Sequence, residues 1–191
     1  YCETNEFDAV LIPYFNRSWM IQHVPRKILR IIDTIDCQSQ RARSFAQHGL
    51  VPTFDIDRTQ EGALLDGYDL ALAMSDEDHD EFQQMTDIPI VTAPFRLPKR
   101  TQQHQGSGHN NTLLFVAAKS PVNDLTLRYL LDEIMPLVRV PTVLNIVGNV
   151  TVPENLPRNT RVMQLGRVDD LDAVYARSDL ALNPTFAGGG I

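Results

Sequence analysis

The sequence predicts an α/β protein made of two parallel-sheet halves joined by a polar stretch. Three observations carry this. Short apolar runs alternate with helical patterns along the whole chain. The first series closes at Thr92, and from Pro94 to Thr112 no apolar period is found. At Leu113 the alternation restarts. Strands and helices alternating at this length build parallel sheets covered by helices on both faces.

In the first half, residues 8–12 and 28–32 read as strands, followed by a helix over 38–47. A short helix over 59–65 leads into a strand over 69–74. Ser75 then caps a helix whose first turn holds Asp76, Glu77 and Asp78, where the positive end of the helix dipole favours carboxylates. A strand over 88–92 closes this half. The polar stretch that follows, with Gln102, Gln103, His104 and Gln105 before Gly106-Ser-Gly108, reads as a linker or mobile loop. The predicted organisation is residues 1–95 as one domain, 96–112 as linker and 113–191 as the second domain.

The second half opens with a strand over 113–117, then Ser120-Pro121, an N-cap with proline at the first helical position. Leu127, Leu130, Leu131, Ile134, Leu137 and Val138 recur at three- and four-residue spacing, which predicts one buried helical face. Residues 143–147 and 161–165 are strands, Asp170 opens a helix bearing Leu171, Val174 and Tyr175, and 179–182 is the last strand. A glycine-rich end after a buried strand and a start at Tyr1-Cys2 lead us to expect missing sequence on both sides.

Composition narrows the function classes. With 191 residues, 43% apolar and 21% charged, the chain is ordinary for a globular protein. A net charge of -7 argues against a nucleic-acid binder. Cys2 and Cys37 have no metal-ligand spacing and make a poor disulfide framework, so a reducing, cytoplasmic setting is expected. Glycosylation acceptor patterns occur at Asn16, Asn110 and Asn149, but the pattern is short and often met by chance. The five histidines show no ligand spacing, and there is no Gly-x-Ser-x-Gly nucleophile elbow.

Ligands of open α/β sheets sit beyond the carboxyl ends of the strands, where small residues let backbone amides approach phosphate. Four loops of the second half have that position: Lys119-Ser120, Gly148-Asn149, Gly166-Arg167 and Thr185 to Gly190. None matches a dinucleotide fingerprint or a P-loop lysine pattern. For any single loop, a glycine that merely permits a tight strand-to-helix turn is the preferred reading. Gly188, Gly189 and Gly190 differ, because three consecutive glycines sacrifice stability that a turn does not require. In the first half, Asp33 and Asp36 could line a cleft at a strand end, although Asp36 could equally cap the next helix, and Arg41 could reach a phosphate or simply be solvated.

These segments resemble family-four glycosyltransferases of the retaining GT-B type. Asp179-Leu-Ala-Leu-Asn-Pro-Thr-Phe-Ala-Gly-Gly-Gly-Ile191 is similar to the family's donor loop of aspartate, apolar strand, Asn-Pro and Gly-x-Gly-Ile. Val162-Met-Gln-Leu-Gly-Arg-Val-Asp-Asp-Leu171 resembles its Leu-Gly-x-Val-x-x-Leu turn near the nucleotide. Leu114-Phe-Val-Ala-Ala and Pro121-Val-Asn-Asp resemble the opening of the donor domain. Ile31-Ile-Asp-Thr-Ile-Asp-Cys-Gln-Ser-Gln-Arg41 is similar to a subgroup motif, Asp-Thr-His-Asp then Ser-x-Arg, and Tyr68-Asp-Leu-Ala-Leu-Ala-Met-Ser75 to the strand before the last part of the acceptor domain. The segments fall in the family's order and span most of the chain.

The resemblance implies two Rossmann-like domains, both incomplete here, and a metal-free, cofactor-free transfer of a sugar from a nucleotide-sugar donor to an acceptor hydroxyl. Gly188, Gly189, Gly190, Gly166, Arg167, Gly148 and Lys119 would hold the donor. Asp33, Asp36 and Arg41 would stand on the acceptor side. The acceptor itself (sugar, lipid-linked or glycan) stays open, as does peripheral membrane contact; no nucleic-acid partner is expected. Two departures weigh against turnover. Ile35 stands where the subgroup has histidine, and the lysine and glutamate that follow the donor loop in the family lie beyond Ile191, so this stretch alone is expected to be inactive. Two alternatives remain: a non-catalytic sugar-nucleotide-binding or protein-interaction module of the same shape, and a nucleotide-sugar epimerase of GT-B architecture.

Overall fold

A computed structural model describes residues 5–96, 105 and 111–188. The chain divides into two compact units, Tyr1–Leu97 with Ala187–Ile191, and Pro98–Phe186. The stretch read as linker falls largely on residues 97–104 and 106–110, outside the described ones; within it the Gln105 N–H donates to the Ala176 carbonyl at 2.8 Å.

The first unit runs β1 (Ala9–Pro13), a 3-10 helix (Phe15–His23), β2 (Leu29–Asp33), α1 (Gln38–Gln47), α2 (Arg58–Leu65), β3 (Leu70–Ala73), α3 (Asp76–Gln83) and β4 (Ile90–Thr92). The four strands are parallel and lie in the order β1-β2-β3-β4. When parallel strands follow each other in chain order, right-handed crossovers place every connecting helix on the same face. Burial agrees: Ile12, Ile32, Ala71 and Ala73 share a core with Phe15, Leu65 and Phe82 from the connecting helices. On the opposite face Leu11 is 52% exposed, Leu29 45% and Val91 48%. The expectation of cover on both faces therefore fails in this unit among the described residues, because the winding never reverses.

Local chemistry sets the helix starts. Asp57 and Gln60 form a reciprocal capping box on α2, and the Ser75 hydroxyl accepts the Asp78 N–H to start α3. The 3-10 helix was not foreseen. Its inward residues, Phe15, Ser18 and Ile21, recur every third position, the repeat of a 3-10 helix, while its other apolar residues, Trp19 and Met20, stand exposed, so the apolar positions draw no α-helical stripe.

The second unit runs β5 (Thr112–Val116), α4 (Pro121–Tyr129), β6 (Thr142–Val147), β7 (Thr160–Gly166), α5 (Leu171–Ala176) and β8 (Leu180–Leu182). Its parallel sheet has the order β7-β6-β5-β8. Phe115, Leu144 and Ile146 pack against Leu127, Leu130, Leu131 and Met135. The Ser120 hydroxyl caps α4 and Pro121 occupies its first turn. The predicted single helical face to Val138 breaks, however: α4 widens into a π-helical turn over Leu130–Ile134 and closes as a 3-10 turn over Met135–Leu137. Pro136 cannot donate an N–H and its ring opposes the preceding carbonyls. Each change of pitch rotates the later side chains, so Met135 is buried and Leu137 is 77% exposed. No helix among the described residues is long and apolar enough to cross a membrane.

Candidate functional site

Two strand ends in the first unit gather polar groups. After β1 the chain turns through Tyr14 at φ 69°, and after β2 through Ile35 at φ 66°. Both are non-glycine residues in the left-handed region, and a β-branched side chain there is strained. The Tyr14 N–H donates to the Asp33 carbonyl at 2.8 Å, which ties the two turns together. Between them lies a cavity of about 290 Å³ lined by Pro13, Tyr14, Asn16, Arg17, Ile35, Asp36 and Arg41.

Asp36 is 2% exposed. One of its oxygens accepts from Arg41 Nη1 at 2.7 Å, and the other accepts from Gln38 Nε2. The Tyr14 hydroxyl in turn donates to Gln38 Oε1 at 3.3 Å. Burial pushes the Asp36 carboxyl above its ordinary range, while the Arg41 guanidinium pulls it down. Burial also raises the Tyr14 phenol, with the Asp36 charge adding to the effect. The structure thus brings Asp36 and Arg41 together as an ion pair. Asp33 sits one strand position before this turn, and its Oδ1 is buried without a hydrogen-bond partner.

Asp36 does not cap α1. That position is Cys37, whose side chain makes no capping bond. The carboxylate of Glu61, fully buried on α2, accepts the N–H groups of Gln38 at 2.7 Å and Ser39 at 2.8 Å. Helix starts at strand ends are anion sites when their amides are free. Here the amides are spent on an internal carboxylate, so α1 offers no phosphate cradle. Burial, reinforced by Glu61, pushes the Cys37 thiol up to about 12, which removes it as a nucleophile at neutral pH.

In the second unit the chain passes from β5 out to β6 and β7, then returns to place β8 on the other side of β5. Winding direction reverses between β5 and β8. Such a switch point opens a crevice beyond the strand carboxyl ends where doubly wound folds bind ligands. Lys119 follows β5 and is exposed; Arg167 follows β7 and is exposed. Gly148 and Gly166 take positive φ, 109° and 63°. A Cβ on Gly148 would lie 1.9 Å from the Ala117 carbonyl oxygen, so only glycine lets these two strand ends meet. The Gly148 N–H donates to the Gly166 carbonyl at 2.7 Å, and is therefore not free for a ligand. Beyond β8, Phe186 packs edge-on against Tyr129 of α4, ring centres 5.0 Å apart.

Gly188 belongs to the first unit, where its N–H donates to Ser44 Oγ at 3.0 Å. Gly189 and Gly190 lie outside the described residues. Sequence reasoning missed Tyr14, Asn16 and Arg17. Applying the strand-end rule to β1 as well as to the second half would have found them. Glu61 had no comparable signal, since an acidic residue in an amphipathic helix reads as solvated. Among the described residues no group of three His, Cys, Asp or Glu side chains is placed to hold a metal ion.

No family model matches the chain and no curated protein matches its sequence.

Proposed function

We propose that the chain is part of a GT-B glycosyltransferase resembling family four, moving a sugar with retention from a nucleotide-sugar donor to an acceptor hydroxyl. The observation that carries this reading is the reversal of winding at β5 and β8, with the motif-bearing loops at the carboxyl ends of that same sheet. The donor diphosphate binds the second unit, where the Lys119 and Arg167 side chains meet its charge and Gly166 leaves open space above the β7 turn. Preorganised cations stabilise the negative charge that grows on the departing diphosphate while the acceptor attacks the same sugar face. The acceptor binds the first unit at the Tyr14–Arg41 cavity. In this reading Gly148 shapes the loop instead of donating to phosphate, and no metal takes part.

A second reading, a sugar-nucleotide-binding module without turnover, is favoured by one observation. Ile35, at the position of the subgroup's histidine, lines the cavity and supplies no polar group.

Thermal-shift titration with uridine, guanosine and adenosine diphosphate sugars tests donor binding, since a ligand of the folded state raises the melting temperature. Selective stabilisation that is lost in Lys119→Ala and Arg167→Ala supports the proposal. Acceptor-dependent release of nucleoside diphosphate then separates transferase from binding module. Equal responses of wild type and both variants to every sugar nucleotide would remove the basis for it.

A further inference from the structure

The cavity at the carboxyl ends of β1 and β2 offers a ligand charge of one sign. Among the described residues that line it, Arg17 and Arg41 are cations and Asp36 is the one carboxylate. Asp36 is closed to a ligand. It is 2% exposed, and its two oxygens accept from Arg41 and from Gln38. Arg41 meets that carboxylate through Nη1 alone, at 2.7 Å, since the second oxygen is taken. A guanidinium bound end-on keeps its other N–H groups, and this side chain is 32% exposed. A cation–π contact with Phe45, ring centre 5.1 Å away, also holds it in place. Arg17 is exposed and forms no ion pair among the described residues.

These contacts separate two kinds of ligand. A neutral sugar presents hydroxyls that donate as readily as they accept, and it needs strong acceptors in the wall. The strongest acceptor here, Asp36, is filled by protein donors. The charged groups left over only donate, since a guanidinium accepts nothing. Phosphate and carboxylate groups are the complementary ligands, and the planar fork of arginine is shaped to meet either. Asn16 and Tyr14, which also line the cavity, add neutral hydrogen bonding for the rest of such a ligand. The chain as a whole carries -7, a field that repels anions, so a wall with an excess of cations stands apart from it.

We propose that this cavity selects a small anionic ligand, a monosaccharide bearing a phosphate or a carboxylate. Arg17 and Arg41 bind the anion, and Asp36 is the positioning residue that aims Arg41. The volume of about 290 Å³ suits one ring and its charged group instead of a longer chain. The anion site stands on the cavity's own chemistry; calling its ligand a sugar, and the acceptor, rests on the sugar-transfer reading.

The test is titration of the protein with glucose, glucose 6-phosphate and glucuronate, followed by NMR shifts of the Asn16 and Arg17 backbone amides. Saturable binding of an anionic sugar, weakening with salt, is the expected result, with no binding of glucose at the same concentrations. Which of the two anionic sugars binds tells phosphate from carboxylate. Arg17 is exposed, so Arg17→Ala keeps the fold, and it weakens binding about tenfold, the worth of one charge-assisted hydrogen bond. Arg139→Ala removes an exposed charge of the second unit and leaves binding unchanged. Glucose binding as tightly as the anionic sugars overturns the proposal. So does binding of neither anion, binding insensitive to Arg17→Ala, or an equal loss in Arg139→Ala, the mark of general charge attraction. The sugar-transfer reading fails separately: a protein that binds an anionic sugar through Arg17, yet is stabilised by no sugar nucleotide, retains this site and loses that reading.

Discussion

Gly148 and Ala117 stand closer than any side chain would permit: a Cβ on Gly148 falls 1.9 Å from the Ala117 carbonyl oxygen. The contact joins the carboxyl ends of β6 and β5, and the glycine's φ of 109° is closed to L side chains in any case. Gly148→Ala therefore has to displace backbone at the switch point. We expect a loss of about 3 kcal/mol or more, read from urea unfolding midpoints. Gly166→Ala, with φ 63° and nothing within 4 Å, costs only about 1 kcal/mol. Equal effects of the two would contradict the packing argument.

Ile35 is a β-branched residue held at φ 66°. Ile35→Gly relieves that strain, and its side chain is 43% exposed, so little burial is lost. The expected outcome is a gain of about 1 kcal/mol despite the added chain entropy of glycine, seen as a raised melting temperature. A loss instead would mean that the isoleucine packs more tightly than its exposure indicates.

The Asp36–Arg41 pair is asymmetric, its side chains 3% and 32% exposed. Removing the outer partner strands a buried carboxylate. Arg41→Ala should cost about 3 kcal/mol, while the double variant Arg41→Ala/Asp36→Asn recovers part of it, because the charge that lost its partner is gone. A double-mutant cycle measured by chemical denaturation checks this; strict additivity would show that the pair does not interact.

Asp69 is held down to about 2, first by its side-chain hydrogen bond from Arg30 and then by the Arg30 N–H. A carboxyl with a depressed folded-state value contributes stability above its unfolded value, about 3.9, and loses it as pH falls through the folded one. Wild type should therefore melt higher than Asp69→Asn at neutral pH, with the gap closing as pH falls from near 4 towards 2. A gap that persists unchanged to pH 2 would assign the difference to shape instead of charge.

Cys37 is fully buried with its thiol raised to about 12. In native protein at pH 8 it should resist maleimide, and peptide mapping by mass spectrometry should find it labelled only after denaturation. Rapid native labelling would show that the α1 start opens readily.

The strands were legible in the sequence because parallel strands are short apolar runs bounded by turn residues. β2, expected over 28–32, occupies Leu29–Asp33, and β6, expected over 143–147, occupies Thr142–Val147. Helix caps at Ser75, Ser120 and Asp170 were legible too, since a capping side chain acts on amides two or three residues away. The pairing of Asp36 with Arg41 had a local basis, five residues along one turn and helix.

Other features depend on residues far apart in the chain. Glu61 finds the start of α1 across 23 residues of sequence, and no local pattern distinguishes it from a solvated glutamate. Gly148 needs its conformation because another strand end presses on it, and the exposed face bearing Leu11 and Leu29 follows from strand order, not from either strand's composition. The sequence alone determined the strands and the capped helix starts, because hydrogen bonding and burial within a segment are short-range, but not the 3-10 helix over Phe15–His23 or the change of pitch after Tyr129. Tertiary packing decided which amides remained free, which charges met and which apolar faces stayed uncovered, because those depend on neighbours that the winding of the chain brings together.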